Sequence, residues 1–158
     1  MKSIKVFSTL VICLLIPMAI GGISGFATAT SIADWYVTLN KPSFNPPNYL
    51  FAPVWTLLYL LMGVSLFTIW RSQIGQNRTN ALFIFTIQLT FNFFWSFLFF
   101  KFNLLGLALV EIVLLWTSIL LMIIIFKRIS KLAAFLQIPY LLWVSFATIL
   151  NSAIWFLN

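Results

Sequence analysis

Trp35-Tyr36-Val37-Thr38-Leu39-Asn40-Lys41-Pro42-Ser43-Phe44-Asn45-Pro46-Pro47-Asn48-Tyr49-Leu50-Phe51-Ala52-Pro53-Val54-Trp55 is the one long interruption in an otherwise oily chain. It holds four of the six prolines, Pro42, Pro46, Pro47 and Pro53. Each fixes its own φ and pushes the residue before it out of the helical region. The stretch is therefore expected to be non-helical until about Pro53, which suits the first turn of a helix. Rings at Trp35, Tyr36, Phe44, Tyr49 and Trp55 set it apart from a plain linker. It reads as a stiff lid, spanning about residues 30–51, that packs over a pocket. Trp35, Lys41, Pro42, Phe44, Pro46 and Pro47 are its candidate lid residues.

The sequence on either side explains why such a loop stands out. Of 158 residues, 63% are hydrophobic and 7% charged, against about 25% charged in soluble domains. Such a chain cannot cover itself with polar surface, so the bilayer is its partner. Five apolar stretches approach the length that crosses about 30 Å of hydrocarbon: 6–28, 52–70, 79–99, 104–126 and 132–156. In lipid the backbone must satisfy its own hydrogen bonds, so each is read as a helix. The expected fold is an all-α integral membrane protein, a single domain over residues 1–158 with five transmembrane helices. The links at 71–78, 100–103 and 127–131 are short and predict antiparallel neighbours.

The net charge of +7 comes from basic residues spread along the chain, without the stripe that a nucleic-acid surface needs. With five spans, Lys2, Lys5, Arg71, Arg78, Lys127, Arg128 and Lys131 fall on one side, and only Lys41 and Lys101 on the other. Positive charge stays inside. The N-terminus is thus expected in the cytoplasm, with the lid loop and C-terminus outside. The first stretch also has features of a cleaved signal peptide: Lys2 and Lys5 ahead of it and Ala27-Thr28-Ala29 behind. Its apolar run is about twice the usual length for one. There is no histidine and a single cysteine, Cys13. No metal site and no resident cofactor are expected.

Polar residues within the spans mark candidate sites. Gln88, Asn92 and Ser96 repeat at i, i+4, i+8 on one face of the third helix. They read equally as interhelical glue or as the polar wall of a ligand cavity. On the fifth helix Trp143, Ala147 and Asn151 repeat the spacing, with Tyr140 one turn before; a packed interior is the simpler reading, a notch for a flat ligand the sharper one. Pro139 is expected to kink this helix. Trp55 and Tyr59 share a face at the start of the second helix, where an aromatic belt at the membrane surface is the alternative. Glu111 is the one acid inside a span; it could hold a cationic group, accept a proton or rest against a carbonyl. Gly21, Gly25 and Ala29, with Gly22 alongside, form a small-residue ridge suited to close helix approach, within the bundle or with a second copy. Trp95 and Trp116 carry no clear assignment. Neither a phosphate-binding glycine loop nor a nucleophile–histidine pair is present.

Taken together, the motifs resemble the TspO/MBR family of tryptophan-rich sensory proteins and mitochondrial translocator proteins. The likeness rests on W-Y-x-x-L-x-K-P-x-F-x-P-P from Trp35, Pro53-x-Trp55-x-x-x-Tyr59-x-x-Met62-Gly63, Gln88-x-x-x-Asn92-x-x-Trp95-Ser96, Ala108-x-x-Glu111, and Pro139-Tyr140-x-x-Trp143-x-x-Phe146-Ala147-x-x-x-Asn151. It implies a five-helix bundle, often a homodimer, whose pocket is roofed by the first loop. Members bind porphyrins such as protoporphyrin IX and haem, and some bind cholesterol or benzodiazepine-type drugs. The resemblance thus implies a membrane tetrapyrrole-binding sensor or regulator of porphyrin and oxidative-stress homeostasis. The implied binding residues are Trp55, Tyr59, Gln88, Asn92, Tyr140, Trp143, Ala147 and Asn151. Some bacterial members are reported to degrade protoporphyrin in light, and this would place Trp55 and Trp143 in a catalytic role. A transporter of porphyrin or sterol is the alternative. Where the animal proteins have a tyrosine and then an arginine for cholesterol, this chain has Ser152 and Phe156, which favours a bacterial tetrapyrrole role.

Overall fold

A computed structural model describes residues 2–158. Met1, and the side chain of Lys2 counted in the charge asymmetry, lie outside the described residues. Helix α1 (Lys2–Asp34) leads through a single 3-10 turn (Tyr36–Thr38) to α2 (Asn48–Trp70). Helix α3 (Gln76–Ser96) continues into a π turn (Phe97–Lys101) and is followed by α4 (Leu105–Lys127). A one-turn helix α5 (Lys131–Phe135) and α6 (Ile138–Leu157) complete the chain. Counting α5 and α6 as one span, five segments are long and apolar enough to cross a membrane. The protein is an all-helical integral membrane protein.

Several boundaries differ from the sequence expectation. Helix α1 runs on to Asp34, because Ala29–Ala33 contains no breaker. Helix α2 starts at Asn48, five residues ahead of Pro53. Pro53 removes only one bond there, the one that the Tyr49 carbonyl would accept in the next turn. The connection is therefore 35–47, shorter than the 30–51 read from proline content. The fifth span is not one helix. Its backbone turns tightly at Gln137, whose N–H donates to the Ala134 carbonyl at 3.1 Å. Pro139 has no N–H for the Phe135 carbonyl and disfavours helix in the residue before it. At the α3–α4 turn Phe102 N–H reaches the Phe97 carbonyl at 2.9 Å, and Asn103 takes a φ of 58°. That left-handed position suits asparagine better than a branched residue.

The helices close into a ring. Helix α1 packs on α2 and α3, α3 on α4, α4 on α5 and α6, and α5 returns to α2. The second and third helices, neighbours in sequence, meet more sparsely than α3 and α4 do. Large apolar side chains such as Phe26, Phe83, Leu107 and Leu142 point outward, while Gln88, Asn92, Gln137 and Asn151 are buried. This inverts a soluble protein and suits a lipid solvent.

Side chains fasten the ring from within. Ser65 Oγ donates to the Ala133 carbonyl at 2.8 Å, tying α2 to α5. Trp116 Nε1 donates to Ser145 Oγ at 2.7 Å, tying α4 to α6. Between α1 and α2 the tie is steric. Pro17 lies inside α1 and offers no N–H to the Cys13 carbonyl. Gly63 faces that point: a β-carbon there would lie 2.7 Å from Leu14 Cα and 2.9 Å from the Cys13 oxygen. Only glycine lets the two backbones come this close.

Candidate functional site

A cleft of about 550 Å³ opens between α1, α2 and the end of α3. Its volume lies within the range of small-molecule sites, which run from about 300 to 1,000 Å³. One wall is the bare side of α1. Gly22 and Gly25 line it, and a β-carbon on either would meet nothing within 4 Å. Ser24 and Thr28 lie on the same wall, yet their hydroxyls donate to the α1 carbonyls of Gly21 and Ser24, at 3.2 and 2.8 Å. Turned back on its own helix in this way, a hydroxyl leaves an almost apolar surface. The facing walls are aromatic: Phe51, Trp55 and Tyr59 from α2, Trp95 and Phe100 from α3 and its π turn, and Tyr36 from the loop.

Those rings are held in place. Trp55 stacks on Tyr59 with centroids 5.5 Å apart and meets Tyr140 edge-on at 6.2 Å. Tyr59 OH donates to Asn92 Oδ1 at 2.8 Å, and Asn92 Nδ2 donates to Tyr140 OH at 2.9 Å. One amide thus joins α2, α3 and α6 through two buried phenols. Trp95 stacks on Phe99 at 5.2 Å, and its indole N–H donates to Asn151 Oδ1 at 3.2 Å. Asn151 in turn donates to the Leu105 carbonyl at 3.1 Å. Each asparagine sits behind a cleft ring and fixes its orientation.

The residues singled out in the sequence therefore fall into groups. Trp55 and Tyr59 line the cleft; Asn92, Tyr140 and Asn151 stand behind it. Trp143 packs on Phe51 at 5.9 Å and Phe146 at 5.6 Å, and borders a shallow outer hollow between α2 and α6 with Val54 and Leu58. Ala147 is half-buried against the core. Gln88 is fully buried one turn below Asn92, and neither its amide oxygen nor its nitrogen has a partner among the described residues. The same is true of both Glu111 oxygens and of the Gln137 amide. Sequence spacing did not assign Trp95, and it read Gly22 and Gly25 as packing residues. The signal for Trp95 was present in its place one turn after Asn92.

The connection 35–47 is docked over the upper end of the bundle. Tyr36 is buried; its OH donates to Asn45 Oδ1 at 2.8 Å and its ring meets Phe100 at 5.5 Å. Burial pushes this phenol above its ordinary value, against the opposing pull of the Asn45 bond. Lys41 Nζ lies 4.7 Å from the Tyr36 ring centre. Trp35 packs edge-on against Phe99 at 6.0 Å, and Phe44 against Phe146 at 6.4 Å. Asn45 N–H donates to the Pro42 carbonyl at 3.0 Å, closing the turn, and Asn45 Nδ2 donates to the Pro46 carbonyl at 3.0 Å. At its tip, Asn40 N–H donates to Asn158 Oδ1 at 2.9 Å and Asn158 Nδ2 donates to the Asn40 carbonyl at 3.0 Å. Pro47 ends the connection as the cap of α2.

A five-span helical ring with a ring-walled cleft of small-molecule size at one end defines an all-helical integral membrane protein. The comparison with known families makes this specific: residues 13–156 match the TspO/MBR family, and the chain belongs to it. It is 42% identical over 155 residues to the tryptophan-rich protein TspO of Chlorobaculum tepidum, covering 98% of each chain. It is 44% identical over 150 residues to the protein of the same name from Archaeoglobus fulgidus, covering 94% of this chain and 96% of that one. Human translocator protein is 36% identical over 123 residues, which cover 77% of this chain and 73% of the human one.

Proposed function

We propose that this protein binds a flat, largely apolar tetrapyrrole of the protoporphyrin IX or haem type in the cleft, and that it acts as a membrane sensor or regulator of porphyrin and oxidative-stress homeostasis. The observation that carries this is the asymmetry of the cleft. A glycine backbone on one side and a row of rings on the other suit a wide planar ligand that stacks on one face and lies flat on the other. The relative of Cereibacter sphaeroides named a tryptophan-rich sensory protein, 34% identical, supports a sensing role. On this reading the connection 35–47 is the lid. A homodimer, and a bacterial cell membrane with the N-terminus inside and the lid outside, complete the proposal. The six described basic residues at the end opposite the lid, against Lys41 and Lys101, support that orientation.

The test is titration of purified protein with protoporphyrin IX in the dark, read by quenching of tryptophan fluorescence. Trp55→Ala should weaken binding about tenfold or more, equivalent to about 1.4 kcal/mol. Trp143→Ala should change it little, because Trp143 stands outside the cleft wall. Equal losses in both variants would refute this placement of the ligand.

A second reading is light-dependent breakdown of the porphyrin. The cleft position of Trp55 favours it, since an indole in contact with an excited macrocycle can donate an electron. Trp143 would participate only through the ring of Phe51, which lines the cleft. Under light and oxygen, a new absorbing product in wild type that disappears in the Trp55→Phe, Trp143→Phe double variant, with dark binding retained, would establish it. Product formation unchanged in the double variant would exclude a tryptophan mechanism. The third possibility, transport of porphyrin or sterol, predicts ligand uptake into sealed vesicles.

A further inference from the structure

A second hollow, of about 410 Å³, lies between α1, α2 and α3 at the opposite end of the bundle from the cleft. Ile12, Cys13 and Ile16 form its α1 side, Leu66 and Trp70 its α2 side, and Leu82 and Thr86 its α3 side above the buried Phe85 ring; the Thr9 and Thr86 hydroxyls donate to the Lys5 and Leu82 carbonyls of their own helices. Its lining is mostly apolar, and Ile12, Ile16 and Trp70 are exposed on the outer face of the bundle, a surface suited to hydrocarbon. The mouth is not apolar. Trp70 closes the lower end, and the Arg78 guanidinium sits over the Trp70 ring at 4.9 Å. Arg71, the next residue after Trp70, lies over Phe67 at 5.5 Å. The Trp70 face holds the Arg78 guanidinium at the mouth and leaves its N–H donors free for an anion.

No acid of this chain can supply that anion. The sequence has two, Asp34 and Glu111. Asp34 is the last residue of α1, at the other end of the bundle, and Glu111 is buried inside α4. An unneutralised arginine at the membrane surface, beside a groove shaped for an alkyl chain, is complementary to a molecule with a phosphate head and an acyl tail. We propose that this groove is a binding site for an anionic phospholipid, with one acyl chain along Ile12, Ile16 and Leu82 and the phosphate held by Arg78. The site is separate from the ring-walled cleft and independent of what binds there.

Native mass spectrometry of the full-length protein in detergent tests this, with palmitoyl-oleoyl phosphatidylglycerol and phosphatidylcholine added in equal amounts. Wild type should retain the phosphatidylglycerol about fivefold more than the phosphatidylcholine, the order expected for one basic side chain at a membrane surface. Arg78→Gln should bring the ratio close to one. Lys127→Gln, at the same end of the bundle but on α4, should leave it unchanged. Ile12→Trp should fill the groove and reduce adducts of both lipids; Ile12 is exposed, so the bundle core is not disturbed. Circular dichroism melting confirms that each variant is folded. An equal ratio in wild type, or an equal fall in Arg78→Gln and Lys127→Gln, overturns the proposal, the second because the preference would then belong to diffuse charge. A change from dimer to monomer in Ile12→Trp with unchanged lipid adducts overturns it as well, by assigning the groove to a second copy of the chain.

Discussion

The α1–α2 seam is closed at one end and open at the other, with glycine at both. Around Gly63 the helices touch, since a β-carbon there would strike the α1 backbone; at the edge of the cleft a β-carbon on Gly21 would strike the Tyr59 ring. Gly22, the next residue of α1, and Gly25, one turn beyond Gly21, face empty space. The same residue type serves close approach in the first region and leaves room for a ligand in the second. The difference teaches that small residues on a membrane helix do not by themselves mean helix contact. What faces them decides.

The strongest way to break this contrast is at its closed end. Gly63→Val forces α1 from α2 against fixed backbone, and overpacking of this kind costs about 3 kcal/mol; thermal unfolding in detergent should show a large drop in midpoint. Asn92→Leu comes next. It leaves the Tyr59 and Tyr140 hydroxyls unpaired in the interior and should cost about 2 kcal/mol, while also loosening the Trp55 stack. Gly25→Leu acts at the open end. It meets no neighbour, so unfolding should shift by less than about 1 kcal/mol, yet porphyrin affinity should fall about tenfold. Stability lost in Gly25→Leu as in Gly63→Val would erase the distinction between the two ends.

Two smaller effects concern the loop above the open end. Asn158→Ala removes the reciprocal bonds to Asn40 and should cost under about 1 kcal/mol, visible as faster backbone hydrogen exchange in residues 36–45 with the helices unaffected. Tyr36 gives a pH signature. Its phenol is raised by burial, so its contribution to docking is complete below the ordinary tyrosine value of about 10 and is lost as pH rises through the folded value. Hydrogen exchange of the loop, corrected for intrinsic rates, should be flat from neutral pH to about 10 and accelerate above it. Tyr36→Phe should remove that dependence.

A second contrast sits within α3. Gln88 and Asn92 are one turn apart on one face and both are buried. Asn92 bonds to two tyrosines from two other helices, while Gln88 finds no partner among the described residues. Spacing read from the chain placed both on the inward face and could go no further. Which amide is used depends on whether α2 and α6 deliver a phenol at that height, and this is set by how the helices slide and tilt. The same reason separates Trp55 from Trp143. Spacing read Trp143 as an inward indole and left Trp55 between the interior and an aromatic belt, but the break at Gln137 and the packing of Phe51 leave Trp143 behind the wall that Trp55 forms.

Composition and hydropathy alone determined that this chain is a bundle of five membrane-crossing helices, because a 7% charged sequence cannot be solvated by water and lipid admits few backbone structures. The spacing of Gln88, Asn92, Tyr140 and Asn151 likewise marked an interior, since polar groups facing lipid are costly. Helix ends were less legible at 29–34 and 48–52, where neither a breaker nor a proline decided alone. The identity of the cleft wall was left to the tertiary structure. A cavity is the space that packing fails to fill, and its position depends on which residues from distant parts of the chain meet and which, like Gly22 and Gly25, meet nothing.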